Sequence, residues 1–216
     1  MIILAVDNIA PWTRAQRDAA TRLLPPPEIA RAARYRRWQD GQATLLGRLL
    51  LRLALRRRGD DPVTIAAITI DAADRPSLPG GPDFSISHAD GLVVLAVTDD
   101  GRVGIDVEHC RAIAPDDLGP ALTQADRRRI AAAADPVAAV LQCWTAKEAV
   151  VKAAGLGITV AELPAWPDGG PVLCDGLPWW IATWALPGHV LTLAHGRPFM
   201  QPVIETVGLD ALLAQI

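Results

Sequence analysis

The stretch Leu92-Val93-Val94-Leu95-Ala96-Val97-Thr98-Asp99-Asp100-Gly101-Arg102-Val103-Gly104-Ile105-Asp106-Val107-Glu108 decides the fold. Two apolar runs flank Asp99-Asp100-Gly101, a tight-turn signal, so the pattern predicts a β-hairpin over 92–108. Strand-like runs at 65–70 and 84–87 precede it, punctuated by Pro76, Pro79, Gly80, Gly81 and Pro82. Further back, residues 2–7 read as a buried strand. Pro25-Pro26-Pro27 then breaks the chain ahead of helices over 28–37 and 40–58. In the second of these, Leu45, Leu46, Leu49, Leu50, Leu53 and Ala54 recur at helical spacing, and Gly59 supplies a stop. Its arginines fall largely off that stripe, giving a core helix with one basic face. Beyond the hairpin come helices over 123–134 and 136–154 and a Gly155-Leu156-Gly157 loop. Strands over 179–186 and 189–195 follow, joined by Pro187-Gly188. Each half is thus a long helix followed by strands, which argues an α+β fold in two halves, 1–102 and 103–216.

Bulk composition removes several classes. Half of the 216 residues are hydrophobic, and the net charge of −3 gives no reason to expect nucleic acid as a partner. Nine arginines nevertheless crowd into residues 31–58. No run of 18 or more apolar residues exists, so no membrane span is expected. The opening Met1-Ile2-Ile3-Leu4-Ala5-Val6 lacks a basic region and meets Asp7 at once, which reads as a first strand and not as a secretory signal. Cys110, Cys143 and Cys174 are odd in number and lack metal-ligand spacing, so they read as reduced thiols of a cytoplasmic protein. A serine hydrolase is excluded because no G-x-S-x-G occurs among only three serines.

Three clusters could carry chemistry. On a strand, Asp106 and Glu108 share one face while Ile105 and Val107 turn to the core. Two adjacent carboxylates repel, and a divalent cation relieves that repulsion; oxygen-only ligands suit Mg2+. Alone, the pair is more simply a solvated strand end. In Trp144-Thr145-Ala146-Lys147-Glu148-Ala149-Val150-Val151-Lys152, the residues Trp144, Glu148 and Lys152 share a helix face. An ordinary surface ion pair would explain Glu148 and Lys152, but their neighbours are nearly all apolar. Burial there is costly unless the charges meet a metal, a ligand or each other. In Phe84-Ser85-Ile86-Ser87-His88 the two hydroxyls share a face, and with His88 they can donate to phosphate oxygens.

Together these stretches resemble the Sfp-like 4′-phosphopantetheinyl transferase family. Its strand motif (V/I)-G-(I/V)-D-x-E is matched by residues 103–108 and its helix motif (F/W)-(S/C/T)-x-K-E-(A/S)-x-x-K by 144–152. An F-(N/S)-x-S-H segment is matched by 84–88. The resemblance implies two similar α+β halves packed as a pseudo-dimer, with the site in the cleft between them. It also implies transfer of phosphopantetheine from coenzyme A to a serine of an apo acyl or peptidyl carrier protein, with release of 3′,5′-ADP. Carried over, Asp106, Glu108 and Glu148 would hold Mg2+ on the pyrophosphate. Lys152 would contact the pyrophosphate and stabilise or protonate the leaving phosphate, and Glu148 is the candidate base. Ser87 and His88 would contact coenzyme A phosphates, while Thr44, Arg75 and possible partners Arg31 or Arg34 would lie toward the nucleotide. Gln42 and Ala43 depart from the family, standing where a basic residue is common. A monomer would suffice, because both halves lie on one chain. The carrier could serve fatty acid, polyketide or nonribosomal peptide synthesis. Two other readings stay open: a Mg2+-dependent phosphohydrolase of a small nucleotide or pyrophosphate, and a non-catalytic protein that binds coenzyme A or a carrier.

Overall fold

The computed structural model describes residues 1–60, 62–71, 75–111, 118, 121–156 and 170–216, with the side chains of 62–64 excepted. In chain order the elements are β1 (Ile2–Asn8), α1 (Arg14–Leu23), α2 (Pro26–Ala32), α3 (Trp38–Arg58), a short 3-10 turn (Pro62–Ala67), β2 (Thr69–Ile70), β3 (Pro76–Ser77), β4 (Asp83–Ala89) and β5 (Gly91–Thr98). Then come β6 (Val103–His109), α4 (Gln124–Ala132), α5 (Pro136–Ala154), β7 (Val172–Cys174), β8 (Leu177–Leu186), β9 (His189–His195), β10 (Ile204–Thr206) and α6 (Leu209–Gln215). The α+β class expected from the pattern is what forms.

Two four-stranded sheets, ordered β10-β1-β5-β4 and β6-β9-β8-β7, stand back to back. Alternation along the strands explains the layering. Leu4, Val6, Val93, Leu95 and Val97 face α3 and join Leu46, Leu49, Leu50 and Leu53 in one core. The opposite faces, Ile3, Ala5, Leu92, Val94 and Ala96, meet Val103, Ile105, Val107, Leu191 and Leu193 of the second sheet. On the far side of that sheet, Ala149, Val150 and Ala153 of α5 pack on Ala194 and Trp179. The order is therefore helix, sheet, sheet, helix. Residues 204–216 return to the first sheet, where β10 runs parallel to β1 and Leu212 enters the first core.

The expected hairpin over 92–108 does not form. β5 pairs with β1 and β4, whereas β6 pairs with β9. The Asp99–Gly101 turn is real, with Gly101 at φ +92°, but it passes the chain from one sheet to the other. Residues 92–98 of β5 are all buried, which suits the centre of a sheet covered on both faces and not an arm of a hairpin.

On its edge away from β9, β6 pairs with no strand backbone among the described residues; its partners there are side chains of β4. Val103 N–H donates to Asp83 Oδ2 at 2.8 Å, Ile105 N–H to Ser85 Oγ at 3.1 Å and Val107 N–H to Ser87 Oγ at 3.4 Å. Residues i, i+2 and i+4 of one strand thus satisfy i, i+2 and i+4 of the other.

Smaller differences also have physical causes. The helix expected over 28–37 is only Pro26–Ala32, because proline suits a first helical turn and α2 starts inside the triple proline. The strand expected over 65–70 is mostly the 3-10 turn, leaving Thr69–Ile70 to pair with Pro76–Ser77. The basic face of α3 is partly internal. Arg48 is buried and donates to Glu28 at 2.9 Å, and Arg52 donates to the Leu23 carbonyl at 2.8 Å. Gly157 lies outside the described residues.

Candidate active site

β6 and α5 bring the expected residues together. The two cross at Gly104, where an added Cβ would lie 1.9 Å from the Ala149 carbonyl oxygen and 2.6 Å from Ala153 N. Only glycine lets the helix sit that close. Asp106, two residues along the strand, consequently faces α5, and Ile105 and Val107 fill the inter-sheet core as alternation requires. Lys152 Nζ donates to Asp106 Oδ1 at 2.5 Å and to Ser87 Oγ at 3.0 Å, and Ser87 Oγ donates to Asp106 Oδ1 at 2.8 Å. Two donors, Ser87 from the first half and Lys152 from α5, thus converge on one oxygen of Asp106.

A cleft of about 320 Å3 opens here, lined by Ser87, His88, Asp106, Glu108, Trp144, Glu148 and Lys152 together with Ile86 and Val107. Trp144 Nε1–H donates to Glu108 Oε1 at 3.1 Å, so the aromatic at the start of the helix motif orients the second carboxylate. Glu148 is 7% exposed and Asp106 4%. Burial pushes the Glu148 carboxyl above the ordinary carboxylate range; Lys152 opposes this, and Asp106 and Glu108 add to it. Glu108 is raised likewise by burial and by Asp106, against its bond from Trp144. The His88 imidazole is lowered, chiefly by burial.

These carboxylates are thus held close enough to disfavour one another's charge. Among the described residues, no group of three Asp, Glu, His or Cys side chains encloses a cation as the side chains stand. Asp106 Oδ2 is nonetheless buried without any hydrogen-bond partner. An oxygen-only donor set with a bare buried carboxylate oxygen fits a hard divalent cation.

A second cleft, of about 360 Å3, shares His88 and Glu108 with the first and continues past Arg37, Gln39, Asp40, Asp90 and Arg111. Thr44 borders neither cleft; it lies one helical turn beyond Asp40, whose carbonyl accepts its hydroxyl at 3.0 Å. Arg75 is not brought to either cleft, and its guanidinium bonds to protein groups elsewhere. Arg31 and Arg34 are exposed on and just after α2.

Sequence reasoning passed over one pair beside the site. Lys147, in the middle of the helix motif, is fully buried and meets the equally buried Asp126 at 2.8 Å. Asp126 also accepts from Thr123 N–H and Oγ1, closing a capping box on α4. The signal was present: an ammonium between Ala146 and Glu148 on an apolar helix needs a buried counter-charge.

Two family models match the chain, one after the other. Residues 102–192 match the 4′-phosphopantetheinyl transferase superfamily, and residues 10–100 match the 4′-phosphopantetheinyl transferase N-terminal family. A Synechocystis sp. protein named as a 4′-phosphopantetheinyl transferase is 30% identical over 161 residues, covering 68% of this chain and 63% of that one. The L-aminoadipate-semialdehyde dehydrogenase-phosphopantetheinyl transferase of Eremothecium gossypii is 33% identical over 212 residues, 85% of this chain and 74% of that one. With both halves matched in order, and with the carboxylates and lysine of the motifs gathered in one cleft at their junction, the chain belongs to the 4′-phosphopantetheinyl transferase superfamily, transferases that use coenzyme A and act on carrier proteins.

Proposed function

We propose that this chain transfers the 4′-phosphopantetheine group of coenzyme A to a serine hydroxyl of an apo acyl or peptidyl carrier protein. The observation that carries the reading is the meeting of Asp106, Glu108, Glu148 and Lys152 in one cleft, with Asp106 Oδ2 left bare.

In the reaction the carrier's serine oxygen forms a bond to the pyrophosphate phosphorus that bears the pantetheine arm. The bond from that phosphorus to the bridging oxygen breaks, and 3′,5′-ADP leaves. Lys152 meets the pyrophosphate and stabilises or protonates the departing phosphate. Glu148, its carboxyl raised by burial, accepts the serine proton directly or through water. Ser87 and His88, which line the cleft, would contact the phosphates, and Thr44, which borders neither cleft, would lie toward the nucleotide. Asp106, Glu108 and Glu148 would hold Mg2+, which neutralises pyrophosphate charge when bound.

The chain would act as a cytoplasmic monomer; among the described residues, no helix is long and apolar enough to cross a membrane. Carrier proteins of this kind are acidic, and the exposed Arg37 of the second cleft, with the exposed Arg31, Arg34 and Arg36 close before it in sequence, would steer their approach. The test follows the mass of several apo carriers incubated with the protein, coenzyme A and Mg2+. A gain of one phosphopantetheine is expected. No gain on any carrier, with 3′,5′-ADP released in the absence of carrier, would replace transfer by hydrolysis.

A further inference from the structure

Arg75, assigned to the nucleotide by resemblance, is committed to other work in this fold. Its Nε donates to the carbonyl oxygen of Lys152 at 2.9 Å. Its Nη2 donates to Asp83 Oδ2 at 2.7 Å and to the Val103 carbonyl at 3.2 Å. Asp83 Oδ2 in turn accepts the Val103 N–H at 2.8 Å. The Arg75–Asp83 pair, 11% and 19% exposed, therefore grips both backbone polar groups of Val103, where β6 begins.

The same guanidinium also caps α5. Lys152 stands two residues before the end of that helix, among the last carbonyls that find no partner further along it. Among the described residues, its oxygen receives a long 3.3 Å bond from Gly155 N–H besides the bond from Arg75. A cation at a helix C-terminus is also favoured by the helix dipole. Arg75 thus joins the strand that carries Asp106 to the helix that carries Lys152, from behind the cleft where those side chains meet at 2.5 Å. Arg75 itself borders a separate polar cavity of about 590 Å3, with Arg58, Asp83, Asp99 and Arg102.

We propose that Arg75, seated on Asp83, is a positioning residue that fixes the backbone of Lys152 against β6, and not a ligand of the coenzyme A nucleotide. The assignment rests on the transferase reading, in which Lys152 meets the pyrophosphate. Losing the guanidinium frees the last turn of α5 and moves the Lys152 ammonium, while the second cleft, which Arg75 does not line, keeps its walls. The loss should therefore appear in kcat and not in coenzyme A binding.

The experiment measures kcat and KM for coenzyme A and for its 3′-dephospho form, with an apo carrier as acceptor. It compares wild type, Arg75→Ala, Arg75→Lys and Asp83→Asn, each with its thermal midpoint. Arg75→Ala is expected to lose about 10- to 100-fold in kcat, the scale of a misplacement near 1 Å. Its KM for coenzyme A should change far less than kcat, within about twofold, because the guanidinium bonds only to protein groups. Its preference for coenzyme A over the dephospho form should equal that of wild type. Arg75→Lys, which keeps the charge but not the planar fork, should recover part of kcat. Asp83→Asn should follow Arg75→Ala more mildly and carries the test if the alanine variant does not fold. A raised KM with a collapsed preference for the 3′-phosphate would overturn the proposal and restore Arg75 to the nucleotide. Unchanged kcat with only a lowered thermal midpoint would also overturn it. Absence of turnover in wild type would sink the transferase reading itself, and this one with it.

Discussion

Replacing Gly104 by alanine tests the geometry of the site at its tightest point. The new methyl carbon would start 1.9 Å from the Ala149 carbonyl oxygen, where ordinary contact begins near 3.4 Å. The obstructing atoms belong to helix backbone and cannot rotate away, so α5 and β6 must part by about 1.5 Å. Overpacking of this kind costs on the order of 3 kcal/mol, at the upper end for a core insertion. For a chain of this length that lowers the thermal midpoint by about 6 to 12 °C. The separation also pulls Asp106 from Glu148 and Lys152, so turnover should fall about 100-fold even well below the new midpoint. Thermal unfolding followed by circular dichroism and carrier mass gain measured at 20 °C read the two effects separately. A Gly104→Ala protein with an unshifted midpoint and wild-type turnover would show that the close crossing does not set the site.

Glu148→Gln should abolish turnover by a factor of about 10² to 10⁴, the range for a lost acid–base group. Its thermal midpoint should be equal to or above that of wild type, since a buried charge beside Asp106 and Glu108 is removed; a markedly lower midpoint would contradict that electrostatic account. Arg57 and Glu205 tie α3 to β10 through two hydrogen bonds that hold the Glu205 carboxyl below its ordinary range. A depressed carboxyl stabilises the fold above its unfolded-state value and ceases to do so as pH falls through the folded one. The margin of wild type over Glu205→Gln should therefore be present at pH 7, at most about 1 kcal/mol for so exposed a pair, and vanish in acid. An alkylating reagent at pH 8 should modify the exposed Cys110 and spare Cys143, whose thiol is buried and pushed up to about 12, until the protein is unfolded; labelling of native Cys143 would refute its burial.

Much of the site was legible because it rests on short-range periodicity. Positions 106 and 108 share a strand face and 144, 148 and 152 a helix face whatever the surrounding fold, and both pairings appear as spacing alone predicts. What could not be read was which edges meet. Asp99-Asp100-Gly101 reports a reversal of direction and not hydrogen-bond partners, so β5 and β6 looked like a hairpin although they lie in different sheets. Ser87 looked free to bind phosphate, and nothing local says that its hydroxyl answers Val107, Asp106 and Lys152 at once. Arg75 bonds to groups 8, 28 and 77 residues away, a set no spacing rule reaches. Other omissions were recoverable. Thr13-x-x-Gln16 is a capping box that announces α1, and Thr123-x-x-Asp126 announces α4.

The row of Asp83, Ser85 and Ser87 along β6 has a consequence for how this molecule behaves in company. A sheet's outermost strand is a template on which a foreign strand can grow, and β4 and β6 are each outermost in their own sheet. Side chains of β4 take up the outward N–H groups of Val103, Ile105 and Val107, which withdraws the seven-residue edge of β6 from such pairing without fusing the sheets into one. At the other ends of the two sheets the outer strands β7 and β10 are three residues each, and they pair only with Leu177–Trp179 of β8 and Ile3–Ala5 of β1. The seam that assembles the cleft also keeps neighbouring copies from adding to it, so loosening it by Ser85→Ala should appear as clumping in concentrated solution before it appears as lost turnover.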